Sequence, residues 1–355
     1  MEKNMKKRVA LFLSVMILLT GCGTTNANNG TVASTEKQTL ILSTFGLSAD
    51  ISEEKVYSPF ESLNNCDIVT DTGTAAERYT KLSSDPDSTV DVIELSQALT
   101  AQGITAGLFE KLDLSKLTNV SDMIDVAKTF AGDGNGVAYT INSMGIIYNP
   151  ATVGIEIKSF DDLWSAVLKG KIAIPDITTT FGPAMVYIAS DHKGVNIKTD
   201  NGTAAFKALS ELKPNIVKTY TKSSDLVNMF TSGEVTAAIV GDFAVPVLMK
   251  ANPNLVYFTP KGTYANFNIL SVNKNSKHKD LAYKYINYRI SSELQTISGL
   301  ALNEAPTNKK VTFTAAEAAN MTYGDVAANA KAVDYSFVNP ILNSWVDQWN
   351  RTLNN

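Results

Sequence analysis

Cysteine and histidine are scarce in this chain. Among 355 residues there are two of each, Cys22 and Cys66, His192 and His278. Beyond residue 22 a single thiol remains, so the body has no internal disulfide, no cysteine metal cluster and no thiol-pair redox chemistry. Two histidines cannot build a site that needs three. Basic charge is also limited. Lys and Arg number 31 against 35 Asp and Glu, for a net charge of −4. A mildly acidic chain without a basic patch gives no support for nucleic-acid binding. The N-terminal apolar run, Val9 to Leu19, is too short to span a bilayer as a mature helix.

That run follows a basic stretch, Lys3, Lys6, Lys7 and Arg8, and precedes Thr20-Gly21-Cys22, the layout of an export signal. Leu19-Thr20-Gly21-Cys22 matches the bacterial lipobox, which implies that Cys22 is diacylated and becomes the first mature residue. Residues 1–21 carry four basic and one acidic side chain, so their removal takes the net charge from −4 to −7. Residues 22–37 are small and polar, as in a flexible tether. The expected location is extracytoplasmic, with the body held to the cell membrane by its own lipid. The remaining length, at 44% hydrophobic residues, allows two sizeable cores.

Short apolar strands alternate with helical segments, the pattern of a mostly parallel α/β sheet, in which ligands bind beyond the strands' carboxyl ends. Thr39–Leu42 ends at Ser43-Thr44-Phe45-Gly46, Asp67–Asp71 at Thr72-Gly73-Thr74, and Val90–Leu95 at Ser96-Gln97. The residues past these ends are uncharged and rich in hydroxyl or amide groups, which makes Thr44, Phe45, Thr72, Thr74, Ser96 and Gln97 candidate ligand contacts. In IAIPDITTTFGPAMVYIA (172–189) a strand meets a helix across three threonines. One suffices as a cap; the others among Thr178, Thr179 and Thr180 can face a guest, where hydroxyls and helix N–H groups converge. Asp176 reads as a turn former after Pro175. The strand Glu234–Asp242 ends in an acid followed by Phe243, able to hold one cationic group beside an aromatic face, or equally to cap the next helix.

Two longer extended runs, 137–149 and 264–273, bracket a middle segment of domain size, which suggests two lobes joined by two crossing strands. After the first run Ser159 can cap a helix with Asp161 and Asp162 in its first turn, and DLAYKYINYRISSELQTISG reads as one helix. Trp345 and Trp349, spaced i and i+4, suit a C-terminal helix packed on the body.

Four segments carry a resemblance: GLFEKLDLSKLTNV (107–120), FDDLWSAVLKGKIAIPD (160–176), SSDLVNMFTSGEVTAAIVGD (223–242) and KDLAYKYINYRISSELQTISGLALNEAPTNKK (279–310). Together, behind a lipobox, they resemble the extracellular solute-binding proteins of ABC importers, in the spermidine/putrescine-binding group. The resemblance implies a two-lobed α/β fold of the type II periplasmic-binding kind, closing on a solute and delivering it to a permease driven by an ATPase. It places 38–142 and 269–310 in lobe one and 143–268 in lobe two, with Ser143 opening that lobe as a further candidate contact and 311–355 as a helical segment on the body. Where the polyamine binders have a Trp and an Asp, this chain has Asn266 and Asn268. Ferric-binding relatives use adjacent tyrosines, and no Tyr-Tyr occurs here, which disfavours hard-metal capture. Site composition favours a small amine-containing solute, a zwitterion or monocation, whether polyamine-like, amino-acid-like or thiamine-like. No cofactor is expected, and the molecule is expected to be a monomer.

Two other classes compete. A secreted hydrolase needs a base beside Ser or Thr, and His192 in SDHKG and His278 in NSKHKD both read as solvated surface residues. A module that only senses or adheres is compatible with the same residues.

Overall fold

The computed structural model describes residues 37–354 except 86, 126 and 129–133. The signal, the lipobox and nearly all of the tether lie outside the described residues. Among the described residues no helix is long and apolar enough to cross a membrane.

Strands β1 (Gln38–Thr44), β2 (Cys66–Thr72) and β3 (Val92–Ser96) form one parallel group in the order β2-β1-β3. Strands β5 (Ile172–Pro175), β6 (Ile216–Tyr220) and β7 (Ala237–Gly241) form a second, in the order β7-β5-β6. Two long strands join them: β4 (Val137–Tyr148) and β9 (Tyr264–Val272), which pair antiparallel. The first part of β4 pairs with β9, whereas Met144–Tyr148 pairs with β7, so a single strand passes from one half to the other. The other partner, β9, runs along β3 over Asn268–Val272. Short β8 (Val256–Phe258) and β10 (Ala305–Pro306) add to β4, and β11 (Lys331–Ala332) adds to β9.

Each half has its own core. Leu40, Leu42, Val92, Phe60, Tyr285 and Ile286 are buried in the first. Ile172, Ile174, Met185, Leu209, Ile239 and Trp345 fill the second. Burial on both faces explains why β5 and β7 read as continuous apolar runs instead of alternating ones. The helix Tyr335–Trp349 lays Trp345 and Trp349 into the second core, and Trp345 Nε1 donates to the Asn201 carbonyl at 2.9 Å.

Three local expectations change. The region after Ser159 is a five-residue 3₁₀ turn, Phe160–Trp164, and not a longer helix. Its capping box with Asp162 forms, but Ser165 turns extended and ends it. The segment from Lys279 is two helices, Lys279–Arg289 and Ser292–Leu302, because Ser291 adopts an extended conformation and its hydroxyl accepts the Leu294 N–H at 3.2 Å. That break sets Arg289 at a helix end. The strand expected over 234–242 is confined to Ala237–Gly241, leaving Asp242 to start the next turn.

Candidate functional site

Where the two halves meet at the strand ends there is a cavity of about 120 Å³. By the space one water needs, this admits a guest of about ten heavy atoms. Thr44, Phe45, Glu94, Arg289 and Glu304 enter from the first half, Thr180 and Phe243 from the second, and Tyr139, Thr140, Asn142, Asn266 and Asn268 from the crossing strands. The rings of Phe181 and Phe243 stack with centroids 6.3 Å apart. Gly241 permits this, since a Cβ there would lie 2.4 Å from the Phe243 ring.

Of the residues chosen from sequence, Thr44, Phe45, Thr180, Phe243, Asn266 and Asn268 line the cavity. The asparagines form a ladder: Asn266 Nδ2 donates to Asn268 Oδ1 at 3.0 Å and Asn268 Nδ2 to Asn142 Oδ1 at 3.1 Å. Gln97 is tied to that ladder through its backbone N–H, which donates to Asn266 Oδ1 at 3.2 Å. Ser96 is buried beside it, opposite Asn268.

The other candidates sit elsewhere. Thr72 is exposed at the end of edge strand β2. Thr74 forms a reciprocal capping box with Glu77. Thr178 donates to the Asp176 carboxylate at 2.7 Å and Thr179 to the Asp176 carbonyl at 2.7 Å. Two of the three threonines therefore build the turn, and Thr180 alone reaches the cavity. Ser143 is fully buried, and its hydroxyl donates to the Thr322 hydroxyl oxygen at 2.7 Å.

Asp242 is not on the cavity wall. Its carboxylate is fully buried and accepts from the Thr322 N–H at 2.8 Å and the Thr322 hydroxyl at 2.5 Å. Burial pushes its pKa up to about 7, against the hydrogen bonds from Thr322, Asn142 and the Phe243 backbone that favour the charge. The sequence places an acid at the strand end correctly. Its direction is set by a segment 80 residues away.

The histidines are not simply solvated. His192 stacks on Trp164 at 4.0 Å with Nδ1 2.7 Å from Asp161, and His278 Nδ1 lies 3.3 Å from the buried Asp91 carboxylate. Neither lines the cavity.

Sequence reasoning passed over the charged floor. Glu94, in the middle of fully buried β3, accepts from the Thr44 hydroxyl at 2.6 Å and the Tyr139 hydroxyl at 3.2 Å, both on Oε2. Arg289 Nη2 contacts both Glu304 oxygens at 3.1 and 3.2 Å, and its guanidinium lies 4.3 Å over the Tyr139 ring. Burial opposes the Arg289 charge, but Glu304, Tyr285 and Glu94 outweigh it and raise its pKa well above the usual value. Burial, with Glu94 adding to it, likewise drives the Tyr139 phenol up, so it stays protonated and donates. Behind the wall, Arg78 donates to the Ser43 and Glu94 carbonyls at 3.0 and 2.5 Å and covers Phe45 at 4.4 Å. The sequence carried one signal of this cluster, an acid inside an otherwise apolar strand, VIELS.

Residues 55–323 match a family model described as bacterial extracellular solute-binding protein. The spermidine/putrescine-binding periplasmic protein of Escherichia coli (strain K12) is 25% identical over 222 residues, 61% of this chain and 63% of that protein. The match thus spans less than two thirds of that relative's length. A gamma-aminobutyric acid-binding protein of Pseudomonas aeruginosa is 23% identical over 325 residues, 89% of each chain. A crystal structure of an ABC transporter from Clostridium perfringens ATCC 13124 is 51% identical, with a TM-score of 0.74, over 88% of this chain and 99% of that one. At 20% identity, and so as evidence of fold alone, the binding protein MotA of A. tumefaciens B6 superposes with a TM-score of 0.75.

Proposed function

The chain belongs to the bacterial extracellular solute-binding proteins, with the two-lobed α/β fold of type II periplasmic binding proteins, and from that premise we propose that it is the solute-capturing component of an ABC importer. It holds a small amine-containing organic solute between two closing lobes and hands it to the permease, whose cytoplasmic ATPase drives transport. One observation carries this reading: the cavity lies between the halves and takes its walls from both. A guest there contacts both lobes together only when they are closed, so binding favours the closed population. The lobes divide as 38–142 with 269–310 against 143–268, and the hinge is the pair of crossing strands. The tail 311–355 touches both: Met321 lies in the first core, while Thr322 bonds Asp242 and the tryptophans of the last helix sit in the second core. The protein works as a monomer tethered by lipidated Cys22, without catalysis.

The relatives' names supply the solute classes to try, polyamines and gamma-aminobutyrate. Small-angle scattering and thermal melts of the purified protein with amines, amino acids and dicarboxylates form the test. A bound solute is expected to reduce the radius of gyration. At a hundredfold excess over Kd it adds about 2.7 kcal/mol of stability. If no solute of any charge class produces either change, the reading fails.

A further inference from the structure

At the cavity floor one acceptor and two donor atoms are buried with no hydrogen-bond partner among the described residues. Glu94 is 3% exposed, and its Oε2 is taken by Thr44 and Tyr139, but its Oε1 has no hydrogen-bond partner among the described residues. Arg289 is also 3% exposed. Its Nη2 is taken by Glu304, while Nε and Nη1 have no hydrogen-bond partner among the described residues. The two unmet sets face each other, yet Arg289 Nε and Glu94 Oε1 are 3.8 Å apart, too far for a hydrogen bond. The single charge of the guanidinium is shared by Glu304 and Glu94, and the floor leaves a guest the Oε1 acceptor of Glu94 and the Nη1 donor of Arg289 within a few ångströms.

Resting on the reading of this cavity as the solute site, we propose that the solute is an amino-acid zwitterion, its ammonium on Glu94 Oε1 and its carboxylate on Nη1 of Arg289. A polyamine satisfies Glu94 but brings a second cation toward Arg289 and leaves the guanidinium donors unmet. A dicarboxylate satisfies Arg289 and sets a carboxylate against Glu94. Only a guest with both groups pairs both sets, and buried charged groups left unpaired are costly. Phe45 and Phe243 supply apolar wall on either side of the floor, and the asparagine ladder offers neutral amides to the rest of the guest. Glu94 and Arg289 are thereby the specificity-determining residues.

Three four-carbon probes separate the charge classes at matched length: 4-aminobutanoate, putrescine and succinate, titrated calorimetrically beside a pool of α-amino acids. A zwitterion, 4-aminobutanoate or a pool member, is expected to bind at least about tenfold more tightly than putrescine and succinate, the size of one charge-assisted bond. Glu94→Gln should close the gap to succinate, Arg289→Gln should close the gap to putrescine, and Arg289→Lys should keep the zwitterion ahead. If Arg289→Gln does not fold, as judged by near-ultraviolet circular dichroism, Glu94→Gln and Arg289→Lys carry the test. Putrescine or succinate binding as tightly as any zwitterion, or Glu94→Gln leaving the order unchanged, overturns the assignment while solute binding itself stands. If all three probes and the pool fail to bind and no other solute compacts the molecule, the cavity is not the solute site and both readings fall.

Discussion

Asp242 should make the stability of this protein depend on pH in a window where most proteins change little. Its carboxyl has a pKa of about 7 in the folded state, against an ordinary carboxylate value near 3.8. Between those values the native state holds a proton that the unfolded chain has released, so stability falls as pH rises, the reverse of a salt-bridged carboxylate. The contribution is fully present below about pH 3.8 and is lost as pH climbs through 7. From pH 5 to pH 8 the linkage integral for these two pKa values is about 2.5 kcal/mol. For a folded body of this size that corresponds to a fall of about 4 °C in melting temperature. Asp242→Asn keeps the shape and an acceptor for the Thr322 N–H but cannot ionise. Urea melts of both proteins at pH 5, 6, 7 and 8 should show the wild type losing stability across the series more steeply than the variant. The variant should be the more stable of the two at pH 8. Parallel profiles would refute the reasoning, because the buried group that titrates would then not be Asp242.

Trp345→Ala removes a side chain 1% exposed that packs against Tyr187, Phe206 and Phe337, and should cost about 3–5 kcal/mol in denaturant unfolding. A loss under about 1 kcal/mol would show that the C-terminal helix is not part of the second core's cooperative unit. Cys22→Ala should abolish fatty-acid labelling in cells and leave either precursor or a released body; unchanged labelling would rule out the lipobox.

Much of the fold is legible in the residues because it follows from local periodicity. Continuous apolar runs with hydroxyl-rich ends give the buried parallel strands, and the two long extended runs give the crossings. A resemblance spread over four segments gives the family and the two-lobed architecture, both of which the comparisons support. Half-right readings came where a local rule has two solutions. A threonine after a strand can cap, turn or line a cleft, and local sequence does not separate Thr178 and Thr179, bonded to Asp176, from Thr180 on the cavity wall.

The sequence by itself determined the residue classes available at the strand ends, the near absence of cysteine and histidine chemistry, and the position of an acid after β7. Tertiary structure alone decided where the charges meet. Glu94 lies far along the chain from Arg289 and Glu304, and the three converge because β3 is central in its half and because Ser291 breaks the helix just after Arg289. Asp242 turns from the cavity to Thr322 for the same kind of reason. A carboxylate's direction is set by which donor reaches it at lowest desolvation cost, and here that donor comes from a segment that only the folded chain brings near.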